Sequence, residues 1–167
     1  MAFEIYFLGN QLFSNTAQAI TLAKNKKLGE YKTSKVIYSK YEAFYLIEKA
    51  KAKIMFKEKK ITSIKAIKLF SKKHKNFSRN YLVYKDLREK GYIVKTALKF
   101  GTEFRVYDKK SKHAKWLVFI SSPRDKVKWK EFVSTNRISH STAKKLLIAL
   151  IDSQHSISYF ESDWIKP

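Results

Sequence analysis

A chain of 167 residues, 44% hydrophobic and 15% aromatic, has the length of one large domain or two small ones and enough apolar mass to pack a core. Its charge is lopsided: 36 Lys+Arg against 14 Asp+Glu give a formal +22, which attracts polyanions, nucleic acid first and an acidic membrane second. The lack of cysteine excludes disulfides and thiolate zinc sites, and no run approaches the roughly 20 apolar residues of a membrane span.

The opening "MAFEIYFLGN" carries an early glutamate and no basic leader, so the sequence reads as a soluble, cytoplasmic protein without a signal peptide. Residues 1–38 read as short strands, a helical turn and loops, with a hairpin signal at Gly9–Asn10. "SKYEAFYLIEKAKAKI" predicts a helix. Ser39 and Glu42 have capping-box spacing, and Ala43, Leu46, Ile47 and Ala50 recur on one face. "TSIKAIKLFSKKHK" predicts another, with Ile64, Ile67 and Leu69–Phe70 inward and lysines outward. The polar run "SKKHKNFSRN" then separates two halves, which places a domain boundary near residue 76.

Beyond it, "FSRNYLVYKDLREKG" predicts a helix that buries Tyr81, Val83–Tyr84 and Leu87 and stops at Gly91. "YIVKTALKF", "TEFRVYD" and "KWLVFIS" are β-rich runs that belong to one sheet, and "SSPRDK" is a turn. "HSTAKKLLIALID" predicts the last helix, with Leu146, Leu147, Leu150 and Ile151 inward, before "SISYFESDWIKP" closes as a strand and a tail. The fold class expected is α+β or mixed α/β: a small N-terminal α/β domain over residues 1–76, and a C-terminal domain over 77–167 whose mixed central sheet is flanked by helices.

The charge directs attention to RNA. An RNA 2′-hydroxyl can attack its own neighbouring phosphate, leaving a 2′,3′-cyclic phosphate and a free 5′-hydroxyl, with no metal or external water. The reaction needs a base for the 2′-OH, an acid for the leaving 5′-oxygen, and a cation for the charge that builds at phosphorus. Histidine suits proton transfer because imidazole ordinarily titrates near pH 6.5. A tyrosine hydroxyl needs neighbouring positive charge to act as a base, and lysine is a compact charge for a phosphate oxygen. Tyr107 and His113 stand either side of "DKKSK", a turn that can bring both to one sheet edge. Lys144 falls in the first turn of the predicted last helix, near a positive helix end that also favours phosphate. On residue types alone a strand-end tyrosine packs, a histidine among lysines is solvated, and the charge fits an RNA-binding module better than an enzyme.

Longer blocks decide between these readings. "YLVYKDLREKGYIVKTALKFGTEFRVYDKK" followed by "HAKWLV" resembles the C-terminal domain of the archaeal tRNA-splicing endonucleases, where "VYxDLRxxGYxVKxGxKFGxxFRVY" precedes "HSxYLV". "RISHSTAKKLLIALID" is similar to that family's "RxAHSVRKKLLLAIVD", and "YFESDWIKP" to its aromatic strand and "KP" ending. "LGEYKTSKVIYSKYEAFYLIEKAKAKI" is similar, more loosely, to its N-terminal "GxxxxxxLxLSxxEALYLLExGK" segment. The resemblance spans nearly the whole chain. It implies a nuclease fold for the second domain and an RNA endonuclease (a tRNA-intron lyase) that excises introns from precursor tRNA at bulge–helix–bulge motifs, without metal or cofactor, by the transesterification just described.

Carried over one residue at a time, the resemblance makes Tyr107 the group that helps deprotonate the 2′-hydroxyl and His113 the acid for the leaving group. It makes Lys144 the transition-state cation, and Arg137 a substrate-binding residue that stacks on an extruded bulge base. With all three catalytic residue types in place, the chain reads as an active subunit. The alternative is a non-catalytic RNA-binding or structural subunit of the same complex. A magnesium-dependent DNA nuclease would want a carboxylate cluster, which the catalytic block lacks.

Three departures stand out. Ala114 replaces the serine of "HSxYLV", and "STAK" replaces "SVRK", removing an arginine beside Lys144. In homotetrameric members an acidic, "DADGD"-like loop after the last helix enters a basic pocket of another subunit pair. Here it is "DSQHS", with Asp152 its one acid and a histidine at His155. A nearly neutral loop gains little from a basic pocket. The expected partners are therefore precursor tRNA and a structural paralogous subunit in an α2β2 heterotetramer, with a homo-oligomer as the alternative, and no membrane.

Overall fold

The computed structural model describes residues 2–165, apart from the side chain of Lys73, so the Lys166–Pro167 ending lies outside the described residues. The chain divides into two compact units, Met1–Ser78 and Arg79–Pro167. Both are mixtures of helix and sheet, so the α+β class expected from the sequence is the class observed. Among the described residues no helix is long and apolar enough to cross a membrane.

In the first unit, β1 (Phe3–Leu8) turns through Gly9, at φ +60°, into β2 (Gln11–Ser14) and pairs with it antiparallel, as the hairpin signal predicts. Then follow α1 (Ala17–Lys26), β3 (Glu30–Lys32), β4 (Lys35–Tyr38), α2 (Lys40–Glu48), β5 (Ala52–Phe56), β6 (Lys59–Lys60) and α3 (Ser63–Lys73). The sheet order is β3-β4-β2-β1-β5-β6, with β1 and β5 parallel. The capping box forms: Ser39 Oγ accepts from the Glu42 N–H, and Glu42 Oε2 accepts from the Ser39 N–H at 2.9 Å. Glu42 is itself buried, and its Oε1 accepts from the Gly29 N–H at 2.9 Å. Gly29 sits at φ +84°, where an added Cβ would lie 2.3 Å from Val36, so a side chain there would collide as well as strain the backbone. Tyr41 stacks on Phe77 with ring centroids 5.3 Å apart, and Ile5, Leu46 and Ile54 are fully buried in the same unit.

Two expectations for this unit are corrected. The helix of residues 39–54 stops at Glu48. Ala50 turns the chain at φ +53°, and "AKIMF" joins the sheet, so Ala50 is exposed and Ile54 is buried as a strand residue. In α3 Phe70 is buried as expected, with Ala66, and Ile67 and Leu69 are half-buried, but Ile64 is 70% exposed.

Helix α4 (Phe77–Glu89) leads into the second unit, where Tyr81, Val83, Tyr84 and Leu87 are buried as expected and Gly91 closes the helix at φ +93°. β7 (Ile93–Thr96), a 3-10 turn (Leu98–Phe100), β8 (Phe104–Tyr107), β9 (Trp116–Ser121), α5 (Trp129–Ser141), β10 (Lys145–Ile151) and β11 (Ile157–Ser162) complete it. The sheet order is β11-β10-β9-β8-β7. Its one parallel pair, β9 with β10, is joined by α5 as a βαβ crossover. Tyr84 packs on Phe104 and the Tyr159 hydroxyl donates to Asp86, which places α4 on one face of the sheet. On the other face α5 sets Phe132 edge-on to Phe119, over the core of Ala97, Leu117 and Leu146.

The predicted last helix is the chief correction. Residues 145–151 form a strand, and the last helix is α5, thirteen residues that end at Ser141. β10 is covered on both faces: Leu146 and Leu147, neighbours in sequence, are both buried. Such a strand reads as an unbroken apolar run with no period of two. The "DSQHS" loop accordingly follows a strand, joining β10 to β11 as a hairpin.

Candidate active site

The sheet brings the expected catalytic residues to one of its ends. β8 alternates, with Phe104 and Val106 buried beneath α4 and Arg105 and Tyr107 half-buried on the α5 side. The Arg105 guanidinium lies 5.8 Å from the Tyr107 ring centroid. The exposed loop that follows is ordered locally by Ser111, whose hydroxyl donates to the His113 carbonyl at 2.7 Å and accepts from the His113 N–H at 3.2 Å. His113 is exposed and Ala114 buried, so the methyl that replaces the family serine points into the fold.

Two backbone hydrogen bonds then tie three strand ends together. The Lys115 N–H donates to Val106 O at 2.8 Å, and Lys115 O accepts from the Lys145 N–H at 3.0 Å. Since Val106 faces Trp116 and Trp116 faces Lys145, the next row outward is Tyr107, Lys115 and Lys144. Strands lie about 4.8 Å apart, so the Tyr107 and Lys144 backbones are roughly 10 Å from each other, with His113 two residues before the middle of the row.

Lys144 is not in the first turn of a helix, as the sequence suggests, but just past the end of one. Ala143 adopts φ +54°, the Ala143 N–H donates to His140 O, and the Lys144 N–H donates to Ser139 O at 2.8 Å. This is a Schellman termination with alanine where glycine is usual. The neighbouring dipole end is the negative one, so the helix does not add to phosphate attraction here. Instead Lys144 Nζ donates to Thr142 O at 2.7 Å, covering a terminal carbonyl, and lies 5.5 Å from the Phe100 ring centroid.

A cleft of about 700 Å³ opens beside Lys144, lined by Lys115, His140, Ala143, Lys145, Glu161 and Asp163. Lys145 alternates away from Lys144 and donates to Glu161 at 2.6 Å, and Glu161 also accepts from the Trp116 indole at 2.7 Å. The hydrogen bond from Lys145, then that from Trp116, holds the Glu161 carboxyl below the usual carboxylate range, and Glu161 in turn raises Lys145. One lysine of the pair is thus neutralised in place and the other is not. Tyr107 and His113 do not line this cleft, and Arg137 is exposed on α5. Nothing in residue type or spacing marks Lys115 and His140. His140 lies inside the "RISHSTAKK" block, and Lys115 adjoins Trp116, so position in the motif was the available signal for both. Among the described residues no group of three or more His, Cys, Asp or Glu side chains is arranged to hold a metal ion.

Residues 77–159 match the family model of the tRNA intron endonuclease, catalytic C-terminal domain. The tRNA-splicing endonuclease of Pyrococcus abyssi is 37% identical over 164 residues, which cover 98% of this chain and 96% of that protein. The chain belongs to the tRNA-splicing endonuclease family. The Methanothermobacter thermautotrophicus member is 34% identical over 166 residues, 96% of each chain. The Nanoarchaeum equitans member is 38% identical over 136 residues, 75% of this chain and 87% of its own. The family resemblance of the quoted blocks is therefore borne out along almost the whole chain. Tyr107, His113, Arg137 and Lys144 all fall within the residues matched to the catalytic domain.

Proposed function

We propose that this chain is a catalytic subunit that excises introns from precursor tRNA at bulge–helix–bulge motifs, by metal-independent transesterification. The observation that carries the reading is the row at the sheet end, in which Tyr107, the His113 loop and Lys144 converge within the family's catalytic domain. In the reaction Tyr107, acting as the phenolate, takes the proton of the 2′-hydroxyl as the O2′–P bond forms and becomes the neutral phenol. His113 gives its proton to the 5′-oxygen as the P–O5′ bond breaks, and Lys144 faces the non-bridging oxygens as charge accumulates there. The products are a 2′,3′-cyclic phosphate and a 5′-hydroxyl, and no water is consumed. Arg137, exposed on α5, offers a planar cation on which an extruded bulge base can stack. Shape and splayed nucleotides are what a protein can read on double-helical RNA, and two active subunits at fixed spacing measure the separation of the bulges.

The acting assembly is proposed to be an α2β2 heterotetramer with a structural paralogue. The β10–β11 loop supports this, because its one acid is already engaged. Asp152 Oδ1 accepts from both the Gln154 and Ser156 N–H groups, at 2.8 and 2.9 Å, so the carboxylate closes its own turn and the loop offers a basic pocket a single negative charge rather than an acidic arm.

The test is cleavage of a labelled intron-containing precursor tRNA by the purified chain in EDTA, with the product ends mapped. Cyclic-phosphate ends that disappear in His113→Ala support the chemistry, and cleavage by this chain alone as a stable tetramer refutes the heterotetramer. Cleavage unaffected by His113→Ala refutes the assignment of the acid. A chain that binds precursor but cuts only when a paralogue supplies another active site is the non-catalytic subunit instead.

A further inference from the structure

Residues 49–75 hold eleven lysines and one acid, Glu58, and every Lys or Arg position in residues 1–78 is lysine. A solvated lysine-rich helix ordinarily intersperses glutamate, because i,i+4 pairs of opposite sign stabilise and like pairs destabilise. Helix α3, "SIKAIKLFSKK", has no acid at all. Lys65, Lys68 and Lys72 are exposed on it and follow the i, i+3, i+7 spacing. At about 100° per residue they fall within roughly 60° of one another, opposite the buried Ala66 and Phe70. The stripe is therefore a row of like charges about 10 Å long, one rise of 1.5 Å per residue. It begins in the helix's first turn, where the Thr62 hydroxyl accepts from the Lys65 N–H and a cation meets the positive end of the dipole. Lys72, in the last turn, suits the dipole, but the like-charge spacing along the stripe and the cation in the first turn both work against the free helix, and a bound polyanion would relieve both.

We propose that the Lys65–Lys68–Lys72 stripe is a second RNA-binding surface, on the first unit, that takes consecutive backbone phosphates of the substrate outside the cleavage chemistry. Lysine rather than arginine suits this role: a point charge on a flexible stem follows a phosphate backbone without reading sequence. The inference rests on the reading of the substrate as RNA, but not on how that RNA is cut. It assigns to the stripe affinity and salt dependence, and leaves the rate of the chemical step to the residues of the second unit.

The experiment measures Kd for full-length precursor tRNA carrying 2′-deoxy substitutions at both cleavage positions, across salt concentrations, and the single-turnover cleavage rate of unmodified RNA at saturation. The full chain, with whatever partner its activity requires, is compared with Lys65→Gln/Lys68→Gln/Lys72→Gln and with a control of equal charge, Lys126→Gln/Lys128→Gln/Lys130→Gln. Expected is a slope of log Kd against log salt lower by about 2 to 3 in the stripe variant, near 0.7–0.9 per lost phosphate contact, with an unchanged saturating rate. An unchanged slope overturns the proposal, as does an equal fall in the control, which would mean that net charge alone matters. A stripe variant that binds RNA normally but no longer assembles overturns it in favour of an acidic protein partner. A wild-type chain that cuts nothing even when a paralogous partner is supplied, yet binds RNA through the stripe, refutes the endonuclease reading and leaves this surface standing.

Discussion

The ammonium of Lys144 is held by two contacts, and one of them can be removed without touching the lysine. Its Nζ donates to Thr142 O at 2.7 Å and lies 5.5 Å from the Phe100 ring centroid. Phe100 also packs on the core of Ala97, Leu117 and Leu146, so alanine there would open a void and confuse the result. Leucine keeps most of the apolar contact and deletes the π face. A cation–π contact at a half-exposed site contributes about 0.5–1 kcal/mol, or about a two- to fivefold change in the population of the held conformation. Phe100→Leu is therefore expected to lower the single-turnover cleavage rate at saturating RNA about two- to fivefold. The Kd for RNA should move less than about twofold, and stability by about 1–2 kcal/mol, since leucine lacks three of the ring's carbons at a partly buried position. Phe100→Tyr, which keeps the ring face, should cleave at close to the original rate. A leucine variant at full rate would show that the ring does not position Lys144. A tyrosine variant as slow as leucine would show that fit in the core, rather than the ring's charge distribution, is what counts.

Two further predictions concern stability. Glu42→Ala strands the buried Gly29 N–H, at about 1–3 kcal/mol, and opens the capping box, at about 0.5–2 kcal/mol, so urea denaturation should show a loss of about 2–4 kcal/mol. A loss under about 1 kcal/mol would mean that water takes over the carboxylate's role. Burial, then the hydrogen bond to Asp86, pushes the Tyr159 hydroxyl well above its ordinary value near 10. Above pH 10 the unfolded chain releases this proton and the folded one keeps it, so stability falls as pH rises. Tyr159→Phe should flatten that fall between pH 9 and about 10.5 in urea titrations, and an identical slope in both proteins would refute the assignment.

How far the sequence could be read depended on whether each element wears its burial on one face. Helix α4 does, and its inward set of Tyr81, Val83, Tyr84 and Leu87 was legible, as was the capping box of α2. Helix α5 does not: Thr135, Asn136 and Ser139 are buried on it, so no apolar stripe marks it. Thr135 and Ser139 meet their hydrogen-bonding needs by donating to carbonyls one turn back, Glu131 O and Thr135 O. β10 fails for the opposite reason, being apolar on both sides, and α1 reads as no more than a turn because its buried residues are the small Ala19 and Ala23. The proposed site is legible as residue identities, through the blocks around Tyr107, His113 and Lys144. Its arrangement is not, since a misread helix places Lys144 at the wrong end of the wrong element. The cross-strand row depends on register, which sequence spacing does not reveal.

The neighbouring lysines at the start of β10 bear on how the strand finds its place at all. A strand apolar on both faces can slide by one residue with little loss of burial, and such a slide moves every side chain to the opposite face. Here a slipped strand would still deliver a lysine to the position of Lys144, so side-chain chemistry at the site does not by itself discriminate against the error. What discriminates is the neighbour: Lys145 is keyed to Glu161 on β11, Glu161 to the Trp116 indole on β9, and the Lys144 N–H to Ser139 O at the end of α5. These polar contacts index the strand, as a pin fixes a sliding scale at one graduation. An ion pair worth little as stability at its half-exposed position therefore carries information, deciding which of two chemically equivalent lysines takes the proposed catalytic position.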